Sequence, residues 1–186
     1  MVTKKYIGAL LSLAAFVYTL WYMHFGVPYK NSGALSKIGL EHHFLFWIWG
    51  VLTFAALLYN IVFAYKKYTS SRLYIPLLSV AGAGMLLTLC FDFDYDKKMH
   101  YILHCAGSLT FSVVMGITIF WLFVLCYKKS VMFKIFTVIT ALILLVDLVF
   151  LLIYKETALI EVLPIFAGYL LLGIVNFREE KIEITR

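Results

Sequence analysis

Apolar residues in this chain come in long, nearly unbroken runs, with neither the alternation of a half-buried strand nor the polar face of a helix lying on a soluble core. Six runs approach or exceed the roughly 20 residues that a hydrocarbon layer demands of a helix: about 5 to 25, 43 to 65, 73 to 91, 99 to 126, 131 to 153 and 157 to 177. The pattern predicts an all-α fold, a polytopic membrane protein whose single domain, residues 1–186, is a bundle of six transmembrane helices. The connectors are too short to form a separate soluble domain, so chemistry is expected inside the bundle or at its rim. Lys4 and Lys5 precede the first run as they would in a signal peptide. That run is long and no small-residue cleavage pattern follows it, which predicts a retained helix.

Composition sharpens this picture. Hydrophobic residues make up 63% of the chain and charged residues 14%, against about 25% charged in soluble domains; the mean hydropathy is +0.94. Lysines and arginines then set the expected orientation. Lys4 and Lys5, Lys66, Lys67 and Arg72, Lys128, Lys129 and Lys134, and Arg178, Lys181 and Arg186 all fall on one side of a six-span bundle. That side, with both termini, is expected to be cytoplasmic. The other connectors, 26 to 42, 92 to 98 and 154 to 156, mix Lys30, Lys37, Lys97, Lys98 and Lys155 with acidic residues. The formal charge of +6 thus reads as a topology signal and an attraction to anionic headgroups. No nucleic-acid partner is expected, and the bias reads alike in plasma and internal membranes.

Acids and imidazoles gather at the opposite, non-cytoplasmic side: His24, Glu41, His42, His43, Asp92, Asp94, Asp96, His100 and His104. Asp147 and Glu161 interrupt apolar runs and, with His104, are expected roughly 6 to 9 Å below that boundary. Ionisable groups at such depth are costly, so they must be neutral, paired or facing a polar cavity. His100, His104 and Ser108, spaced i, i+4, i+8, line one helix face. Two imidazoles one turn apart can share a divalent metal such as zinc, with Asp92 as a third ligand. Ser108 could then serve as a nucleophile or hold a water, and Ala106 and Gly107 would admit a neighbouring helix. Plainer readings stand beside these. His42, His43 and His100 are shallow enough to rest in the interfacial zone, and the Asp run reads as a solvated loop partnered by Lys97 and Lys98. Gly82 and Gly84, and Gly168 and Gly173, read as close-packing faces. Pro164 is expected to free a carbonyl near Glu161, and Cys90, Cys105 and Cys126 are expected to be free thiols. The cytoplasmic half holds no histidine, so no pair of haem sites is expected.

Certain segments resemble a known family. Gly84-Met-Leu-Leu-Thr-Leu-Cys-Phe91-Asp92, a short polar loop, and His104-Cys-Ala-Gly107-Ser108-Leu-Thr-Phe111 with Gly116 beyond look like the third and fourth spans of the DRAM-like six-span family. That family contains autophagy modulators, GPI-anchor lipid-remodelling proteins and bacterial relatives. Pro28-Tyr29 with Ser32-Gly33, and a last helix with Glu161 early and Asn176-Phe177 at its end, also resemble its pattern. The chain departs from it at Asn176, where Asp is expected, at His100, and in its shorter external loops. The resemblance implies a lumenal or extracellular-facing, lipid-related role.

Two functions of different class follow. In one, an outer-face site hydrolyses a lipid ester or amide or transfers its acyl group. There His104, with His100 and an acid among Asp92, Asp147 and Glu161, holds a metal or acts as general acid and base. In the other, the protein binds a membrane lipid without catalysis, and the cluster of His and acidic residues, with His24, Glu41, His43 and Ser108 around it, locks the bundle and recognises a headgroup. A proton-coupled transporter fits less well, because the cytoplasmic half lacks titratable partners and no internal repeat is visible.

Overall fold

The computed structural model describes residues 2–178, with side chains from Lys5 onward. Lys181, Arg186 and the side chain of Lys4, counted above toward the basic side, lie outside the described residues. Seven α-helices and one 3-10 turn make up the regular structure of the described residues. The helices are α1 (Val2–Met23), α2 (Leu35–Glu41), α3 (His43–Tyr68), α4 (Tyr74–Cys90), α5 (Lys98–Leu125), α6 (Val131–Tyr154) and α7 (Ala158–Phe177); the turn is Asn31–Gly33.

Five of them, α1, α3, α5, α6 and α7, are long and apolar enough to cross a membrane. The sixth expected span, α4, is equally apolar but shorter, at 17 residues. The breaks fall where the sequence turns polar or supplies a local signal. Pro76 sits in the first turn of α4, where a missing N–H costs nothing. Thr157 caps α7 by accepting the Ile160 amide at 3.3 Å. Lys155 ends α6 with φ of 60°, a conformation that side chains rarely take.

Antiparallel succession gives the bundle two ends. The loop end carries connectors 24–42, 91–97 and 155–157; the basic end carries 69–73, 126–130 and Arg178. Around the bundle α1, α3, α4, α5, α6 and α7 follow in chain order, α7 closes against α1, and α3 and α7 also meet through the middle. The core runs along that contact, with Leu57, Ile61 and Ala64 of α3 and Leu172 and Val175 of α7 nearly or wholly buried, while the Tyr65 hydroxyl donates to the Thr118 carbonyl of α5 at 2.9 Å.

Small residues work at α4 and α5. A Cβ on Gly84 would meet the Gly107 carbonyl and the Phe111 amide at 2.8 Å, and one on Gly107 would meet the Gly84 carbonyl at 2.7 Å. The expected close-packing role holds for these two, and for Gly168 between Ile119 and Leu57. It fails for Gly173, which has nothing within 4 Å of such a Cβ, and for Ala106, which is exposed.

Polar locks fix the basic half. Asn60 Nδ2 donates to the Gly8 carbonyl (3.0 Å) and to Ser12 Oγ (3.1 Å), and Asn60 Oδ1 accepts from Asn176 Nδ2 at 2.9 Å. These bonds join α1, α3 and α7 through one side chain. Lys67 Nζ donates to the carbonyls of Asn176 (3.0 Å) and Arg178 (2.6 Å) at the end of α7, and Lys129 donates to the Tyr68 carbonyl at the end of α3. Cations at carbonyl-rich helix ends are favourable, so two of the orientation-setting lysines also cap helices.

Candidate functional site

The expected site residues converge at the loop end, but they divide into four groups with different partners. The first organises the connector 24–42, which the sequence alone reads as irregular and which folds around α2. A helix of seven residues does not persist alone. Here Leu35, Ser36, Ile38 and Gly39 are buried, and the start of α2 is held from another element. Glu161 of α7 accepts the Leu35 amide on Oε2 at 2.6 Å and the Ser36 hydroxyl on Oε1 at 2.8 Å. A carboxylate facing the unpaired amides of a helix start is well placed. Asn31 donates to the Glu156 carbonyl at 2.7 Å, Lys37 donates to Asn31, and the Leu159 amide donates to the Pro28 carbonyl at 3.3 Å. Burial holds the Glu156 carboxyl above the ordinary carboxylate range, and Lys37 opposes that shift. Glu161 is thus occupied by the connector. Ser36, its side-chain partner, and Asn31, which bonds the Glu156 carbonyl instead, are not singled out by the sequence.

The second group surrounds His104, 1% exposed. Its Nδ1 lies 2.8 Å from the Phe91 carbonyl. A carbonyl only accepts, so Nδ1 carries the proton and the neutral ring turns a lone pair outward at Nε2. That Nε2 is buried and lacks a partner at hydrogen-bond distance, although the Thr88 carbonyl also acts on the ring. Phe46 stacks on the imidazole at 5.9 Å and Phe93 meets it edge-on at 5.2 Å. The ring therefore ties the end of α4 to α5 inside an aromatic sleeve.

The third group is a polar rim centred on Asp92. His43 Nδ1 lies 3.7 Å from one carboxylate oxygen, and His100 Nδ1 and Lys97 Nζ lie 3.5 and 3.4 Å from the other. Trp47 donates its indole N–H to His43 Nε2 at 3.0 Å, which leaves Nδ1 to carry the proton toward Asp92 in the neutral ring. Lys97 also reaches Asp94 at 3.5 Å, and its ammonium is held above the ordinary lysine range chiefly by the hydrogen bond to Asp92. Asp94 Oδ1 accepts the Asp96 amide at 3.0 Å. The aspartate run is thus a turn partnered by Lys97, as expected. Lys98 is not in that set, and His24 and Glu41 stand exposed away from it.

His100 and His104 share a helix face but not a partner, since one addresses Asp92 and the other the Phe91 carbonyl. Among the described residues no three of His, Cys, Asp and Glu are arranged to hold a metal ion. The His100, His104 and Asp92 set expected for zinc is therefore not assembled as a metal centre. The three cysteines are free thiols.

The fourth group lies along a cleft between α5, α6 and α7, with Leu57 of α3 at its floor. It holds about 490 Å³ of empty space, mouth included. Ser112, Met115 and Gly116 line it from α5, Thr140, Ile143 and Leu144 from α6, and Pro164, Gly168 and Leu171 from α7. The cleft exists because α6 leaves the bundle: its buried residues, Phe133, Phe136 and Thr140, all lie in its first ten positions. Asp147 lies beyond them, and its Oδ1 is buried without a hydrogen-bond partner. Ser108 is half-buried on α5, one turn from Ser112. No bond joins Asp147 to Glu161 or His104, so the expected common level does not become a common cluster.

Compared with known proteins, no family model, no curated protein and no solved structure matches the chain.

Proposed function

We propose that the chain is an integral membrane protein of six spans that binds a membrane lipid from the side of its bundle. The cleft between α5, α6 and α7 carries this reading: it is narrow, apolar along most of its length, and lined by side chains of three membrane-length helices. Its walls belong to helices that are themselves apolar enough for hydrocarbon, so the molecules that meet its mouth are lipids. In this reading α4 is the sixth span. At about 1.5 Å per residue its 17 residues fall a few ångströms short of a hydrocarbon layer of about 30 Å, a mismatch that local thinning absorbs at modest cost. The basic end faces the cytoplasm and the Asp92 rim lies at the far interface, among headgroups. The resemblance to the DRAM-like family points to the same lipid-related role.

Binding is favoured over catalysis because one of the strongest candidates for chemistry is used up and another is walled in. Glu161 has both oxygens bonded to the start of α2, and His104 is buried between Phe46 and Phe93. Hydrolysis or acyl transfer at the rim is the second reading, and one observation favours it: Asp92 faces the Nδ1 of both His43 and His100, the orientation in which a carboxylate holds an imidazole for acid–base work.

Native mass spectrometry of the protein released from lipid nanodiscs tests the first reading. Wild type is expected to retain lipid through mild activation, and Ile143→Trp, which fills the cleft, to lose it. Wild-type protein that emerges lipid-free would refute the reading. Turnover of a lipid ester that vanishes in His100→Gln while lipid retention persists would promote the second.

A further inference from the structure

Within the lipid-binding reading, on which this rests, we infer that the ligand of the cleft is a single-chain amphiphile with a cationic amine, its ammonium at Asp147 and its chain directed toward the basic end. Beyond the loop end of the cleft the helix faces that line it turn polar. Thr140, Ile143 and Leu144 line it from α6. Asp147 follows Leu144 by three residues and Thr140 by seven, so it continues the same helix face about 10 Å nearer the loop end. On α5, Ser112 lines the cleft and Ser108 precedes it by one turn on the same face. Toward the basic end the walls are Leu57, Ile119 and Leu171, with Thr140 of α6 the polar side chain on that side. Asp147 is the ionisable group of this extended face, so a ligand that pairs with it carries its polar group at the loop end.

Thr140 and Asp147 are among the buried polar groups without a hydrogen-bond partner. Thr19, Thr88, Thr118 and Thr137 each donate to the carbonyl four residues back, at 2.6 to 3.0 Å, as helical threonines commonly do. Thr140 is 6% exposed and lines the cleft, yet its hydroxyl has no partner. Asp147 Oδ1 is likewise buried and unpartnered, and among the described residues no other charged group acts on it. Leaving such groups unpaired is costly. At Asp147, about 10 Å from Thr140, an ammonium supplies both the opposite charge and several donors, a hydroxyl supplies a donor without charge, and a carboxylate or phosphate would be repelled. The charge at the polar end therefore selects the amine. The cleft is narrow, which suits one chain rather than two, lying along α6.

Direct binding to the purified protein in a neutral maltoside detergent at pH near 7 tests this, with dodecylamine, dodecanol and dodecanoate as probes and wild type, Asp147→Asn and Thr140→Val as proteins. Dodecylamine is expected to bind wild type about tenfold more tightly than dodecanol, with dodecanoate weakest. Asp147→Asn is expected to abolish the preference for the amine while dodecanol still binds. Equal affinity for the three probes in wild type, or an amine preference that survives Asp147→Asn, overturns the pairing with Asp147 and leaves the lipid-binding reading standing. Failure of every probe to bind wild type overturns both. Should Asp147→Asn not fold, the wild-type ranking decides, and loss of affinity in Thr140→Val locates the binding in the cleft.

Discussion

Glu161 gives both carboxylate oxygens to the start of α2, one to the Leu35 amide and one to the Ser36 hydroxyl. Removing them leaves two donors unpaired at a buried helix start, at a cost of about 1–3 kcal/mol. Glu161→Ala should therefore lower the unfolding temperature and speed hydrogen exchange at the Leu35 amide, while amides around Asn60 keep their protection. Unchanged exchange at Leu35 would show that α2 holds itself. Glu156 works in the opposite sense. Its folded carboxyl titrates above the ordinary glutamate value because of burial, so between the two values the folded chain binds more protons than the unfolded one. Stability then falls as pH rises through that window. Glu156→Gln should stabilise the protein at neutral pH by less than about 1 kcal/mol, since the group is partly solvated and Lys37 offsets part of the burial. The gain should vanish at a pH well below the ordinary value, where both side chains are neutral; a gain independent of pH would point to packing instead. The residue types of the site were legible in the sequence, because an acid or imidazole beside hydrocarbon needs a reason. Their partners were not: His104 answers to a backbone carbonyl and Glu161 to a backbone amide, groups that every residue carries and no residue type marks.

Helix boundaries follow the apolar runs to within three residues at each end, because a helix buried in an apolar medium must continue until its backbone meets polar surroundings. The element that escaped the pattern is α2, a seven-residue helix too short to show periodicity and held by contacts from α7 and the bundle. Asn60 escaped too. One Asn in a long apolar run looks incidental until α1 and α7 are placed beside it, and then it proves to bond both. Gly84 and Gly107, in contrast, could be picked out as small residues on consecutive helices, and they meet backbone to backbone. Each blocks the other's Cβ with main-chain atoms at 2.7 to 2.8 Å, which no rotamer change relieves. Gly107→Ala should therefore force α4 and α5 apart and lower stability by about 1–3 kcal/mol. Gly173→Ala, with nothing near its Cβ, should be neutral or slightly stabilising through helix propensity. Thermal unfolding in detergent checks the pair, and equal effects at both positions would refute the close crossing.

At the scale of the whole molecule the number of crossings fixes every exposed position by parity. Six spans put Lys5 and Arg178 on the same side, whereas five spans with α4 lying along the interface would separate them. The 17-residue length of α4 is the one feature that leaves room for the second arrangement. Packing argues against it. Five of the six long or apolar helices are long enough to cross, and α4 lies beside α5 with Ala81, Gly84, Met85, Thr88 and Leu89 buried. These positions fall on successive turns over nearly half its length, as expected of a helix running beside its neighbour. Single cysteines at Tyr95 and Tyr127, both exposed and on connectors at opposite ends, and at Arg72 and Arg178, in a background lacking Cys90, Cys105 and Cys126, convert parity into a labelling pattern. With a membrane-impermeant maleimide added to intact cells, only the position 95 cysteine should react; 72, 127 and 178 should react after the membrane is opened. Labelling of 72 together with 95 from outside would place both ends of α4 on one side and reduce the bundle to five crossings. Labelling of 72, 127 and 178 but not 95 would invert the protein, and the Asp147 end of the cleft would then point to the cytoplasmic side.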